Sequence, residues 1–307
     1  MYADREQLLS VPQNKALDRL AFAPTNRRNF IRLAAGTAIS AIAADSVLLA
    51  PNLPRVVRRE IALRRWPADL EGFTIALLSD FHYDPHFSVH PLKAAVPMVN
   101  GLRPDLILLT GDFVTEPSFG GSKEKAAAEA EPCAALLRQM RSTNGLWAVL
   151  GNHDCATVPE HVANVLQTSG IQVLANRSTP IERNGARFWL GGVNDVLCGE
   201  ADLDATLSNV ARGETTILMA HEPDYADHVA RYPVDLQLSG HSHGGQVRFP
   251  FLPPFYLPTL ARKYYWGLYR IGALTLYTNP GLGTIGVPAR LNCPPEITFL
   301  TLGRSTS

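Results

Sequence analysis

Apolar runs of strand length recur at residues 73–78, 106–109, 146–150, 188–190, 216–219 and 234–238, and helix-length segments at 91–100, 123–140, 159–168 and 224–231 lie between them. This alternation predicts an α/β layered domain. Loops past the carboxyl ends of strands in such sheets converge on ligands, so residues distant in sequence can meet in one cleft. Val57, Ile61 and Leu63 alternate only partially, and Arg55, Arg58, Arg59, Arg64 and Arg65 around them read as the solvated face of a first strand. Anionic headgroups are the other partner such a basic run could take. After Arg248 the pattern changes to a Pro- and aromatic-rich segment, 249–269, which cannot continue a helix or a central strand and is expected to be a loop or cap. Its aromatics either pack on the core or form an apolar lip for an acyl chain or a membrane.

Five short polar clusters each close an apolar run: Ser79-Asp80-Phe81-His82, Gly111-Asp112, Gly151-Asn152-His153-Asp154, Ala220-His221 and Gly240-His241-Ser242-His243. Their side chains are carboxylates, an amide and imidazoles, the ligand types of hard and borderline metals, with no thiolate among them. Asp80 and His82 stand two residues apart in an extended turn, so both can reach one ion, and Asp112 offers a carboxylate able to bridge two. His241 and His243 can share an ion or diverge to separate ones. The remaining histidines, His86, His90, His161 and His228, fall outside the clusters and read as structural or surface residues.

The four cysteines, Cys133, Cys155, Cys198 and Cys293, form no C-x-x-C pair, so neither a thiolate zinc site nor a disulfide framework is expected. Cys155 follows Asp154 directly, but a nucleophilic role needs a partner base that the sequence does not identify. The run Gly281-Leu282-Gly283-Thr284-Ile285-Gly286 matches G-x-G-x-x-G and follows a strand-like segment, 274–278. Pro288, Pro294 and Pro295 stand where a dinucleotide site requires a helix, so it is expected to be a tight loop near the active-site edge.

The paired Arg27 and Arg28 precede an Ala-rich apolar stretch, 33–50, which resembles a twin-arginine export signal; residues 1–50 are therefore expected to be a signal or anchor segment. Interrupted by Asp45, the stretch is a poor permanent membrane span. Twin-arginine export carries folded proteins, which suits a metalloenzyme without disulfides, and an uncut signal would tether the domain to the outer face of the cytoplasmic membrane. In 307 residues, 46% hydrophobic, there is room for one large domain, 51–307, beside this segment. Basic and acidic residues balance at 28 each, so the overall field gives no reason to expect nucleic acid.

In order and spacing, D-x-H, G-D, G-N-H-D, a lone His and G-H-x-H resemble the calcineurin-like metallophosphoesterase superfamily, over residues 73–245. That resemblance implies a four-layer αββα sandwich and two divalent ions of Mn, Fe or Zn. Asp80, His82, Asp112 and His243 would hold the first metal; Asp112, Asn152, His221 and His241 would hold the second. His153 would face the substrate and protonate the leaving oxygen, with Asp154 orienting its imidazole. Two ions about 3.5 to 4 Å apart suit in-line displacement at phosphorus by a bridging hydroxide. Phosphodiester or pyrophosphate hydrolysis is the expected reaction; a phosphomonoesterase or a non-catalytic scaffold of the same fold is the alternative. Gly240 to Gln246, the export signal and the Pro-rich segment resemble a bacterial membrane-associated branch, similar to phosphodiesterases and to hydrolases of UDP-2,3-diacylglucosamine in lipid A synthesis. The expected partners are accordingly a phosphoester or lipid-linked substrate, the export machinery and a membrane surface.

Overall fold

The computed structural model describes residues 26–117 and 120–305 and divides the chain into two compact units, 1–43 and 44–307. The part of the expected export segment before residue 26 lies outside the described residues. From Arg27 the chain is helical: α1 (Arg27–Ala44) leads into a wider turn at Asp45–Leu49 and a tighter one at Ala50–Asn52. The whole stretch, Arg27–Asn52, is 26 residues, long and apolar enough by length and composition to cross a membrane. It exceeds the apolar core read from sequence because the helix starts at the arginines themselves and continues through Asp45.

The larger unit is built on two six-stranded sheets. Sheet one contains β1 (Arg55–Leu63), β2 (Phe73–Leu78), β3 (Leu106–Leu109), β4 (Leu146–Ala148) and β5 (Ile171–Val173). Sheet two contains β6 (Arg177–Arg183), β7 (Ala186–Gly192), β8 (Thr216–Met219), β9 (Leu236–Ser239), β10 (Gly267–Ile271) and β11 (Leu274–Thr278). The sixth strand of sheet one is β12 (Glu296–Arg304), which inserts between β1, to which it is parallel, and β2, to which it is antiparallel. In sheet one β2, β3, β4 and β5 are mutually parallel, and in sheet two β7, β8, β9 and β11 are too. Their carboxyl ends therefore share an edge within each sheet.

Side-chain alternation assigns each strand two partners. Ile75, Leu77, Leu106, Leu108 and Leu300 face inward to meet Phe188, Leu190, Ile217, Met219 and Leu238 of the other sheet. Their neighbours Ala76, Leu78, Ile107 and Leu109 face outward onto α2 (Val89–Leu102), through Leu92, Ala95 and Val99, and onto the helices that follow β3 and β4. On the far side, Leu218, Leu274 and Leu276 carry the short helices around Leu203, Ala226 and Val229. The result is the four-layer αββα sandwich. Burial on both faces explains why these strands read as unbroken apolar runs.

The expected helix 123–140 is two, α3 (Lys123–Ala127) and α4 (Ala130–Leu137). Pro132 has no amide proton for the Ala128 carbonyl and its ring crowds that carbonyl, so the helix restarts. The next two helices are α5 (Asn152–Ala156) and α6 (Pro159–Thr168). Segment 249–269 is irregular as far as Trp266 and then becomes β10, an edge strand whose one-sided pairing tolerates its half-exposed side chains.

Candidate metal centre

Each polar cluster begins within three residues of a strand's carboxyl end: Asp80 after β2, Asp112 after β3, Asn152 after β4, His221 after β8 and His241 after β9. The loops are sewn to one another by backbone. Phe81 and His82 donate to the Asp112 carbonyl at 2.8 and 2.9 Å, Asp80 donates to Gly111, and Gly240 donates to His221. Across the two sheets, the His241 amide donates to Asp80 Oδ1 at 2.8 Å.

The price of this convergence is backbone strain. Asp80 (φ 51°), His82 (39°), Asp112 (56°), His241 (67°) and His243 (49°) all occupy the left-handed region. For residues other than glycine such conformations cost about 1 to 3 kcal/mol each and persist only where the surroundings enforce them. Gly240 belongs to the same constraint: a Cβ there would overlap the Ser79 hydroxyl and lie 2.5 Å from Asp80 Oδ2.

Six of the seven expected ligands gather in two groups, Asp80 with His82 and His243, and Asp112 with His221 and His241. Asp112 Oδ2 lies between them, 3.4 Å from His82 Nε2 and 3.2 Å from His221 Nε2. His82 Nε2 and His243 Nε2 are 3.0 Å apart, and His243 Nε2 is 3.6 Å from Asp80 Oδ1. The seventh residue, Asn152, has a buried Oδ1 without a hydrogen-bond partner, and so does His221 at Nε2. His153 stands edge-on to His82 with ring centroids 4.8 Å apart, and its Nδ1 accepts the Glu116 amide at 3.1 Å.

Whether these groups suit cations is decided by their outer partners. His221 Nδ1 donates to the Thr110 carbonyl and His241 Nε2 donates to the Thr259 carbonyl at 2.8 Å, while His82 Nδ1 pairs with Thr115 Oγ1 at 3.1 Å. The two carbonyl bonds fix which ring nitrogen of His221 and His241 carries a proton, and the Thr115 hydroxyl, able to donate or accept, orients the His82 ring. Carboxylate, amide and imidazole donors converging with their lone pairs unspent fit divalent cations. Against burial, the Asp112 and Asp80 carboxylates raise the His221 pKa well above the ordinary imidazole value, so a cation bound there would replace a proton on His221. Burial opposes the charge on Asp112, yet the His221 and His153 imidazoles hold its carboxyl well below the usual range. Burial, with His221 beside it, pushes His241 down to about 4 and keeps it the neutral ligand form.

The scan against known families matches residues 73–245 to the calcineurin-like phosphoesterases. The chain belongs to that family. It is 33% identical over 256 residues to a protein of Bacillus subtilis (strain 168) named the uncharacterized metallophosphoesterase YkuE, covering 83% of this chain and 87% of that one. Phosphodiesterase YaeI of Escherichia coli (strain K12) is 31% identical over 282 residues, covering 90% of this chain and 99% of its own. A transmembrane protein with metallophosphoesterase domain from Danio rerio is 32% identical over 275 residues, which are 85% of this chain and 60% of that longer protein. The chain is thus a metal-dependent phosphoester hydrolase.

In this phosphoesterase Asp154 does not orient His153, contrary to the sequence expectation. Its carboxylate is fully buried and is spent on backbone amides: Phe113 and Val114 at Oδ1, Asp112 and Gly151 at Oδ2, at 2.8 to 3.1 Å. Burial and the neighbouring Asp112 charge push its pKa up to about 7 against those amides. One further contributor was invisible as a motif. Arg290, wholly buried, donates to the carbonyls of Pro280, Gly281, Gly283 and Cys293 and so braces the 281–286 loop, whose Gly283 amide donates to the Asp80 carbonyl at 2.7 Å. That run is a tight loop at the active-site edge, as its prolines imply. A cleft of about 490 Å³ is lined both by Asp112, Asn152, His153 and His241 and by the apolar Leu197, Phe255, Tyr256 and Val287.

Asp154→Asn turns an amide NH2 toward two of the four donors and leaves them unpaired, which is expected to destabilise the fold by about 2 to 6 kcal/mol and to lower metal content together with activity. Denaturant melts and metal analysis check this. An unchanged melt with only a shifted pH–rate profile would restore the His153-orienting role.

Proposed function

We propose that this enzyme hydrolyses a phosphodiester or pyrophosphate with two divalent ions, one held by Asp80, His82, Asp112 and His243 and the other by Asp112, Asn152, His221 and His241. The observation that carries this reading is Asp112 Oδ2, shared between the two donor groups at 3.4 and 3.2 Å. When bound, a pair of such ions neutralises phosphoryl oxygens and acidifies water for in-line attack. His153 is bound through its backbone amide to Asp112 Oδ1 at 2.9 Å and lines the cleft, which suits it to stabilise the developing charge and to protonate the leaving oxygen. Phosphodiesterase YaeI, similar along its whole length, favours a diester over a monoester.

The cleft's outer wall supports an amphiphilic substrate. Phe255 and Tyr256 are each 73% exposed, and Val287, also exposed, lines the same cleft, an apolar lip that could seat an acyl chain while the phosphoryl group faces His153. UDP-2,3-diacylglucosamine has this form. Arg27 and Arg28 at the start of an apolar helix support twin-arginine export and a tether to the outer face of the cytoplasmic membrane, a reading in tension with a cytoplasmic nucleotide lipid. Release into the periplasm would therefore leave a general phosphodiesterase.

Hydrolysis screens with added Mn, Fe or Zn, across monoesters, diesters and a diacylated nucleotide sugar, should show diester or pyrophosphate turnover exceeding monoester turnover; the reverse ranking refutes the reading. His153→Ala should cost about 10² to 10⁴ in kcat on an alkyl diester and far less on a p-nitrophenyl ester, whose leaving group needs no proton. Full turnover of the alkyl ester with both metals retained would remove the acid role. Replacing Arg27 and Arg28 by lysine should abolish export in cell fractionation, and undiminished export would dismiss the signal.

A further inference from the structure

Behind the apolar wall of the cleft a second set of ligand-type groups meets. Cys155 lies on α5, three residues after Asn152, and Cys198 lies in the turn that follows β7. Although far apart in sequence, their sulfurs and one carboxylate oxygen of Asp195 all fall within 4.8 Å of one another. Asp195 is only 1% exposed. Its Oδ1 accepts the Cys198 amide at 2.8 Å, whereas its Oδ2 is buried and has no hydrogen-bond partner. Glu222, also buried, adds a second acidic group here and accepts the amides of Val196 and Leu197 at 3.3 and 3.4 Å. Burial and the adjoining Asp195 push Glu222 up to about 8, so two sulfurs and two buried acidic groups, with no basic side chain hydrogen-bonded to Asp195, make a setting that a cation completes.

We propose that Cys155 Sγ, Cys198 Sγ and Asp195 Oδ2 form an additional metal site for a thiophilic divalent cation such as Zn²⁺, separate from the phosphoesterase centre. The three groups supply three corners of a tetrahedron, and the exposed Cys198 leaves the fourth to water. Binding forms two metal–sulfur bonds and one metal–oxygen bond and releases the two thiol protons to solvent. Softness separates the two locations: the phosphoesterase centre offers oxygen and imidazole, and this site offers thiolate. The ion would pin the Asp195–Cys198 turn, whose Leu197 lines the cleft, to the helix that carries Asn152 and His153.

Cobalt(II) titration of the reduced full-length protein tests this, because a thiolate–cobalt charge-transfer band in the near ultraviolet cannot come from the thiolate-free centre. The band is expected in the native protein and in Asp112→Asn, lost in Cys198→Ser and in Cys155→Ser, and displaced by Zn²⁺. In the native protein Zn²⁺ should also slow alkylation of Cys198 by more than about tenfold, reversed by chelation, a reading that needs no variant to fold. A native protein that shows no band, or a band that survives Cys198→Ser, overturns the site. So does a reduced protein that binds no cobalt but returns to a Cys155–Cys198 disulfide, two hydrogens lighter, on exposure to oxidised glutathione.

Discussion

A single buried carboxylate ties together two of the loops that carry the candidate metal ligands. Asp154 accepts four backbone amides, from Asp112, Phe113, Val114 and Gly151, and thereby locks the loop after β3 to the loop after β4. These hydrogen bonds are buried and so are removed from water's competition. Asp112 and Asn152 come from those two loops, so their spacing is set before any cation arrives. The left-handed backbone at Asp112 is affordable only because its own amide has this fixed acceptor. Pre-organisation of this sort places the cost of building the site on folding, leaving cation affinity undiminished.

The framework around that lock follows from strands buried on both faces. Their apolar residues leave little room for polar groups within the sheets, and the chemistry collects at the carboxyl edges where the chain turns. Both edges contribute: Asp80, Asp112 and Asn152 come from sheet one and His221, His241 and His243 from sheet two. Cation binding thus reports on the docking of the sheets as well as on the loops. The opposite wall of the cleft has a different origin, being made from the irregular segment before β10 and from the proline-bounded loop near Val287. The two parts are nevertheless joined, because the Thr259 carbonyl of the irregular segment holds His241 and the Gly283 amide of the loop holds the Asp80 carbonyl.

Much of this was legible in the amino-acid sequence. Strands β2, β3, β8 and β11 and helix α6 occupy the residues at which their apolar patterns begin and end, because each is local and strongly patterned. The seven ligand-type residues announced themselves by residue type and by position after apolar runs. Non-local facts were hidden. Nothing in residues 296–304 says that they belong between β1 and β2, and nothing near Asp154 says that its oxygens face backbone amides rather than the adjacent imidazole. Thr110, Thr115 and Thr259, which orient the imidazoles, carry no motif, and Cys155 and Cys198 lack any spacing rule that would pair them. Segment 249–269 mixes two behaviours that composition cannot separate: Tyr264 and Tyr269 pack beside the core around Leu274 and Leu276, whereas Phe251, Phe255 and Tyr256 stand in solvent.

The insertion of β12 between β1 and β2 has a consequence for biosynthesis. Until residue 304 has been made, sheet one is divided, with β1 lacking its neighbour and β2 presenting an unpaired edge. The 281–286 loop that contacts Asp80 is likewise contributed late. The candidate ligands themselves all precede residue 244, so what the late segments add to them is an edge partner for β2 and a donor to the Asp80 carbonyl.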